Sequence, residues 1–106
     1  VSAEKVIDSE GLSRAAQLLG RPWTMLIIAS LLDHPRRFTE IVSALPGIST
    51  NLLTERLRVL SNLELITRTP TQTSSMYTLS EHGQQLRPIL TDLARWGGTL
   101  PSNPTS

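Results

Sequence analysis

The chain has 106 residues, a net charge of +1 and 39% hydrophobic residues. That is material for one domain with a single core, and it is too near neutral for a polycation that binds nucleic acid through bulk charge. With no cysteine, disulfides, thiolate zinc sites and cysteine redox chemistry are excluded.

No stretch approaches the ~20 apolar residues of a membrane span, and the first residues lack the basic-then-apolar order of a signal peptide. A soluble, cytoplasmic protein without membrane contact is therefore expected. Residues 1–8 are polar and unpatterned and read as a flexible lead-in. From Ser9 to Leu19, Leu12, Ala15, Ala16 and Leu19 recur at helical spacing and Gly20 closes the segment. After Arg21-Pro22, the run Trp23 to Leu32 is apolar on nearly every side and predicts a helix crossing the middle of the core. Asp33-His34-Pro35 reads as a turn, and Phe38 as part of a short extended stretch.

Two short helices about a tight turn come next. The first is predicted over Thr39 to Leu45, with Glu40 in its first turn, where a carboxylate complements free amides. Pro46-Gly47 stops it. Ser49 is a good N-cap for a second helix that runs to about Asn62 without Gly or Pro. One residue every ~100° sets Leu53, Leu57 and Leu60 on one side, flanked by Leu52, Val59 and Leu63. Thr50, Asn51, Thr54, Arg58 and Ser61 share the other. One face builds a core and the other is free to touch a partner: the layout of a helix-turn-helix.

The period then changes to alternation. Leu65 to Arg68 and Met76 to Leu79 are rich in strand formers and are separated by a polar loop over 69–75, which predicts a two-stranded wing. Ser80 can cap a last helix from Glu81 to about Trp96, striped with Leu86, Ile89, Leu90 and Leu93 and ended by Gly97-Gly98. Pro88 removes a ladder donor inside it and predicts a kink or a broken start. Residues 99–106 carry two prolines and no pattern and read as a disordered tail, leaving 9–98 as the folded domain.

Between Asp33 and Leu79 five bases face four acids, and all five are arginine, the side chain whose planar fork suits phosphate and guanine. Arg56 lies nearer the apolar side and is expected to brace the helix. Of Arg36 and Arg37, one is expected on phosphate and the other in a surface ion pair. The terminal helices have few internal surfaces left to cover, so Leu86, Ile89, Leu90, Leu93 and Trp96 are expected to form a dimer interface with Leu12, Ala16 and Leu19, ordinary core being the alternative. Trp23 and Trp96 read as core or interface packing rather than walls of a ligand pocket. His34 and His82 have no second ligand at metal spacing, and no nucleophile elbow, carboxylate pair or Gly-rich phosphate loop is present. No cofactor, metal or enzymatic site is expected.

In order, these elements describe a mainly α fold with a small β-wing, a winged helix-turn-helix. The segments LLGRPWTMLIIASLLDHPRRFTEI, LPGISTNLLTERLRVL, LITR, YTLSEHGQQLRPIL and RWG resemble the HxlR-type branch of the MarR-like bacterial transcription regulators, over roughly Leu12 to Gly97. The resemblance implies a homodimer that inserts the second helix of each motif into successive major grooves of a palindromic double-stranded DNA operator, with the wing on the flanking minor groove. Ser49, Thr50, Asn51, Thr54 and Arg58 then fall on the recognition face, with Arg36, Arg37 and Arg68 as further contacts. Asn51 suits adenine, Arg58 suits guanine or phosphate, and the hydroxyls suit the backbone; the two half-sites would lie ~34 Å apart.

Three features depart from the family pattern. Glu10 stands about where many members carry a sensing cysteine, which excludes thiol sensing. The wing loop is short and neutral, with Arg68 the only nearby charge. Glu64 occupies a place where a turn-forming glycine is common, so a different local backbone is expected. A small-molecule effector in the dimer groove is compatible with this reading. The near-neutral charge and reduced wing motivate an alternative, a winged-helix protein interaction module with little or no DNA affinity.

Overall fold

The computed structural model describes residues 6–102. Residues 1–5 and 103–106, and with them most of the expected lead-in and half of the expected tail, lie outside the described residues. The elements are α1 (Ser9–Leu19), α2 (Thr24–Ser30), β1 (Arg36–Arg37), α3 (Phe38–Ala44), α4 (Thr50–Asn62), β2 (Ile66–Pro70), β3 (Ser75–Leu79), α5 (Glu81–Gln84) and α6 (Leu86–Gly97). The strands form one antiparallel sheet in the order β1-β3-β2. This is the winged helix-turn-helix order that the sequence predicts.

Local chemistry sets most boundaries. Asp8 caps α1 by accepting from the Gly11 amide at 3.0 Å. Ser49 caps α4 and Ser80 caps α5 in the same way, on Leu52 and Gly83. α4 ends in a Schellman turn: the Leu65 amide donates to the Leu60 carbonyl and the Glu64 amide to that of Ser61. That turn needs a left-handed residue, and Glu64 supplies it at φ 60°. The backbone here is therefore the one a glycine would give, correcting the expected difference, and the Ser80 hydroxyl holds it by donating to the Glu64 carbonyl at 2.8 Å.

Three boundaries differ from the sequence reading. α2 begins at Thr24 and ends at Ser30, because Trp23 is left-handed at φ 75° and lies outside the helix; its ring tip rests against Gly47 in the α3–α4 turn. Phe38 opens α3 instead of ending the extended stretch, since Glu40 reaches back to accept from the Arg37 amide at 2.7 Å. β2 runs on through Pro70, tolerable on an edge strand. Only residues 71–74 remain at the wing tip, where the Thr71 amide donates to the Ser74 carbonyl at 2.7 Å. The last helix breaks at Gln85 into α5 and α6, as the missing amide of Pro88 predicts.

Ile27, Ile28, Leu31, Ile41, Leu53, Leu60 and Ile66 fill the centre of the core. α2 gives it one face only: Leu26 is 54% exposed, so the helix does not cross the core buried all round. α1 buries no residue, and α6 buries Leu90 alone. The radius of gyration of 15.6 Å exceeds the ~13 Å of a compact chain of this length, consistent with terminal helices that lack internal cover.

Candidate nucleic-acid interface

The capping bond of Ser49 starts α4 so that Leu53, Leu57 and Leu60 turn inward. Thr50, Asn51, Thr54 and Arg58 are exposed. The Ser49 hydroxyl is itself engaged by the Leu52 amide, so this side chain serves the helix start first.

The wing carries a second set. Residues directly paired across a sheet share a face, and Ile66 pairs with Leu79 on the core side. Two residues further out the same face presents Arg68 opposite Tyr77. An open cleft of about 410 Å³ between α4 and the wing is lined by Thr54, Leu57, Arg58, Ser61, Arg68 and Tyr77, among others. Helix and wing thus bring Thr54, Arg58 and Arg68 to one surface. Tyr77 was not singled out from the sequence; the alternation along β3 carries the signal, but only once the register is known.

The arginines divide by what they touch. Arg68 and Arg37 are exposed and pair with no acid among the described residues. Arg58 pairs with Glu55 at 3.1 Å. Arg56 is a brace, as expected: its side chain is 13% exposed, its Nε donates to the Pro22 carbonyl at 3.0 Å, and its other end meets Glu55. Arg36 corrects the expected split between phosphate and ion pair. It pairs with no acid among the described residues; its Nε donates to the Ser30 carbonyl, six residues back, and ties β1 to the end of α2.

The residues expected at a dimer interface separate into three groups. Leu12, Ile89, Leu93 and Trp96 are exposed, at 57%, 53%, 41% and 60%, and Ala16 is exposed too. Leu19 and Leu86 are half-buried against the core. Leu90 is a core residue, 8% exposed, and this corrects its assignment to an outer face: the stripe on α6 is wide enough to serve two surfaces. Between α1 and α5–α6 lies a pocket of about 330 Å³ lined by Leu19, Leu65, Leu86 and Ile89, with His82 and Gln85 as polar groups. No helix among the described residues is long and apolar enough to cross a membrane.

Comparison with known proteins agrees with this architecture. Residues 18–103 match the family model for the HxlR-like helix-turn-helix. The HTH-type transcriptional regulator YodB of Bacillus subtilis is 39% identical over 85 residues, which span 77% of this chain and 76% of YodB. The solved structure of reduced YodB superimposes with a TM-score of 0.77 at 35% identity, covering 88% of this chain and 96% of that one. Quinone-bound YodB gives 0.76 at 35% identity, over 86% and 99%. The chain belongs to the HxlR-like helix-turn-helix family and is a transcriptional regulator of that type, in a family of regulators and not of enzymes.

Proposed function

We propose that the protein acts as a homodimer that reads a palindromic DNA operator, with α4 of each protomer in the major groove and the wing on the flanking backbone. The observation that carries this reading is the convergence of Thr54 and Arg58 of α4 with Arg68 of the wing on one cleft. Asn51 is exposed one turn before Thr54 and suits adenine; Arg58 suits guanine; Arg37 and Arg68 suit phosphate. Thr50 and Thr54 offer hydroxyls to the backbone, while Ser49 holds the amides of the helix start. Arg36 ties β1 to the end of α2 through its Nε, which donates to the Ser30 carbonyl, and in this reading only its terminal nitrogens are offered to phosphate.

The second element is association through α1 and α6. Helix α1 is amphipathic and has no fully buried residue, and with the exposed Ile89, Leu93 and Trp96 of α6 it supports a partner of the same kind. An effector would act there too. YodB has been solved with a quinone; this chain has no cysteine and cannot hold one through a thiol, whereas the pocket of about 330 Å³ suits a small apolar ring bound without a covalent bond.

The test is selection of binding sites from a random duplex library, followed by fluorescence anisotropy on the selected and a scrambled duplex at several salt concentrations. The reading expects a two-fold symmetric motif and affinity that falls with salt at about −0.9 per phosphate contacted. Arg58→Ala should weaken the selected site by about 1–3 kcal/mol and relax one position of the motif. Weak binding, equal on both duplexes, would reject it in favour of a protein interaction module.

A further inference from the structure

The recognition helix carries an acid where a DNA-binding surface would be expected to avoid one. Glu55 stands between two arginines and touches both: one carboxylate oxygen accepts from Arg56 and the other from Arg58 at 3.1 Å. The two arginines are not equivalent. Arg56 is 13% exposed and anchored at 3.0 Å to the Pro22 carbonyl in the α1–α2 turn. Arg58 is 62% exposed and lines the cleft shared with Thr54 and Arg68. The fixed arginine therefore holds the carboxylate, and the carboxylate holds the exposed one.

We propose that Glu55 is a positioning residue for DNA recognition, which sets the Arg58 guanidinium for one base and withholds it from the phosphates of other sequences. The inference rests on the DNA-binding reading above. A guanidinium on a long stem finds a phosphate on any duplex, and such a contact carries no sequence information. Held by Glu55, Arg58 gives up its partner only where a base edge offers a comparable bidentate acceptor. Specificity is a difference of affinities, and a repulsive group that weakens the wrong complex more than the right one increases it. The Glu55–Arg58 spacing of three residues, acid first, is the favourable order on a helix, so the pair is formed before DNA arrives.

The variant that tests this is Glu55→Gln, which keeps the shape and removes the charge, compared with wild type, Arg58→Ala and the double variant in the site selection and salt titrations described above. On the scrambled duplex, Glu55→Gln is expected to bind more tightly, with a salt slope steeper by about 0.9 per protomer, one added phosphate contact. The ratio of selected to scrambled affinity should fall about two- to fivefold, what an exposed i,i+3 ion pair in each of two protomers contributes. In the Arg58→Ala background the same change should leave slope and ratio within error, because Glu55 acts through Arg58. A Glu55→Gln protein with wild-type slope, motif and ratio overturns the proposal. So does an effect of equal size without Arg58, which would make Glu55 a simple repulsive charge. A wild-type protein that selects no motif removes the DNA-binding reading itself, and the inference with it.

Discussion

Trp96 offers the sharpest test of the proposed dimer. It is 60% exposed at the end of α6, in line with Ile89 and Leu93. A large aromatic buries ~150–250 Å² when covered, so roughly 100–150 Å² of Trp96 is left for a partner. At ~25 cal/mol per Å² full cover contributes about 2.5–3.5 kcal/mol per protomer. An isologous interface uses the patch twice; even at half cover Trp96→Ala should weaken the dimer by about 3 kcal/mol, near two orders of magnitude in Kd. The single chain loses little, since the ring is mostly outside its core, and the far-ultraviolet circular dichroism of a folded protomer should persist. Sedimentation velocity across a concentration series of wild type, Trp96→Ala and Leu63→Ala measures this. Leu63, 51% exposed at the end of α4, is the control that should leave the dissociation constant unchanged. A wild-type protein that sediments as a monomer at tens of micromolar, or a Trp96→Ala dimer constant within about threefold of wild type, would refute the assignment of this face.

Arg68→Ala should lower affinity on every duplex alike and reduce the salt slope by about 0.9 per protomer, with the selected motif intact; a changed motif would show that the wing reads bases. Gly83→Ala should be severe, because its Cβ would overlap the Leu65 carbonyl, which already accepts from the Ser80 amide at 2.9 Å. Overpacking against backbone plus a disturbed hydrogen bond costs about 2–4 kcal/mol, or more than about 10 °C in Tm, and a wild-type melt by calorimetry would contradict the tight contact of α5 with the Leu65 backbone. Thr24→Val should stabilise by about 1 kcal/mol, since its buried hydroxyl has no partner among the described residues; a lower Tm would mean that the hydroxyl is satisfied in solution.

α4 was legible because two independent signals coincide there: a serine cap and a 3.6-residue apolar period with Leu53, Leu57 and Leu60 in phase. The helix starts near Trp23 and Phe38 are not legible in the sequence, for a common reason. Apolar periodicity cannot distinguish the last residue before a helix from its first: Trp23 is set outside α2 by its left-handed backbone, and Phe38 inside α3 by the bond from the Arg37 amide to Glu40. In the site, periodicity gives the outward face of α4, but the role of each arginine depends on its acceptor. Arg36 bonds a carbonyl that no local pattern marks, and Tyr77 joins the cleft only through the strand register. The Leu86, Ile89, Leu90, Leu93 stripe shows the limit of the amphipathic argument. It finds an apolar side without dividing it between the chain's own core, which takes Leu90, and the outside, which receives Ile89 and Leu93.

The pairing of the wing also bears on how such a regulator changes over evolution. Five residue pairs run without a bulge from Ile66–Leu79 to Pro70–Ser75, and the tip closes on itself through Thr71 and Ser74. Residues gained or lost among positions 71–74 alter the reach of the wing and leave every rung behind them in place. A single residue inserted between Ile66 and Arg68 reverses the facing of all side chains beyond it, taking Arg68 out of the cleft it shares with Arg58. Length variation is thereby channelled to the tip, so the wing can grow or shrink between descendants while the arginine behind it keeps its aim.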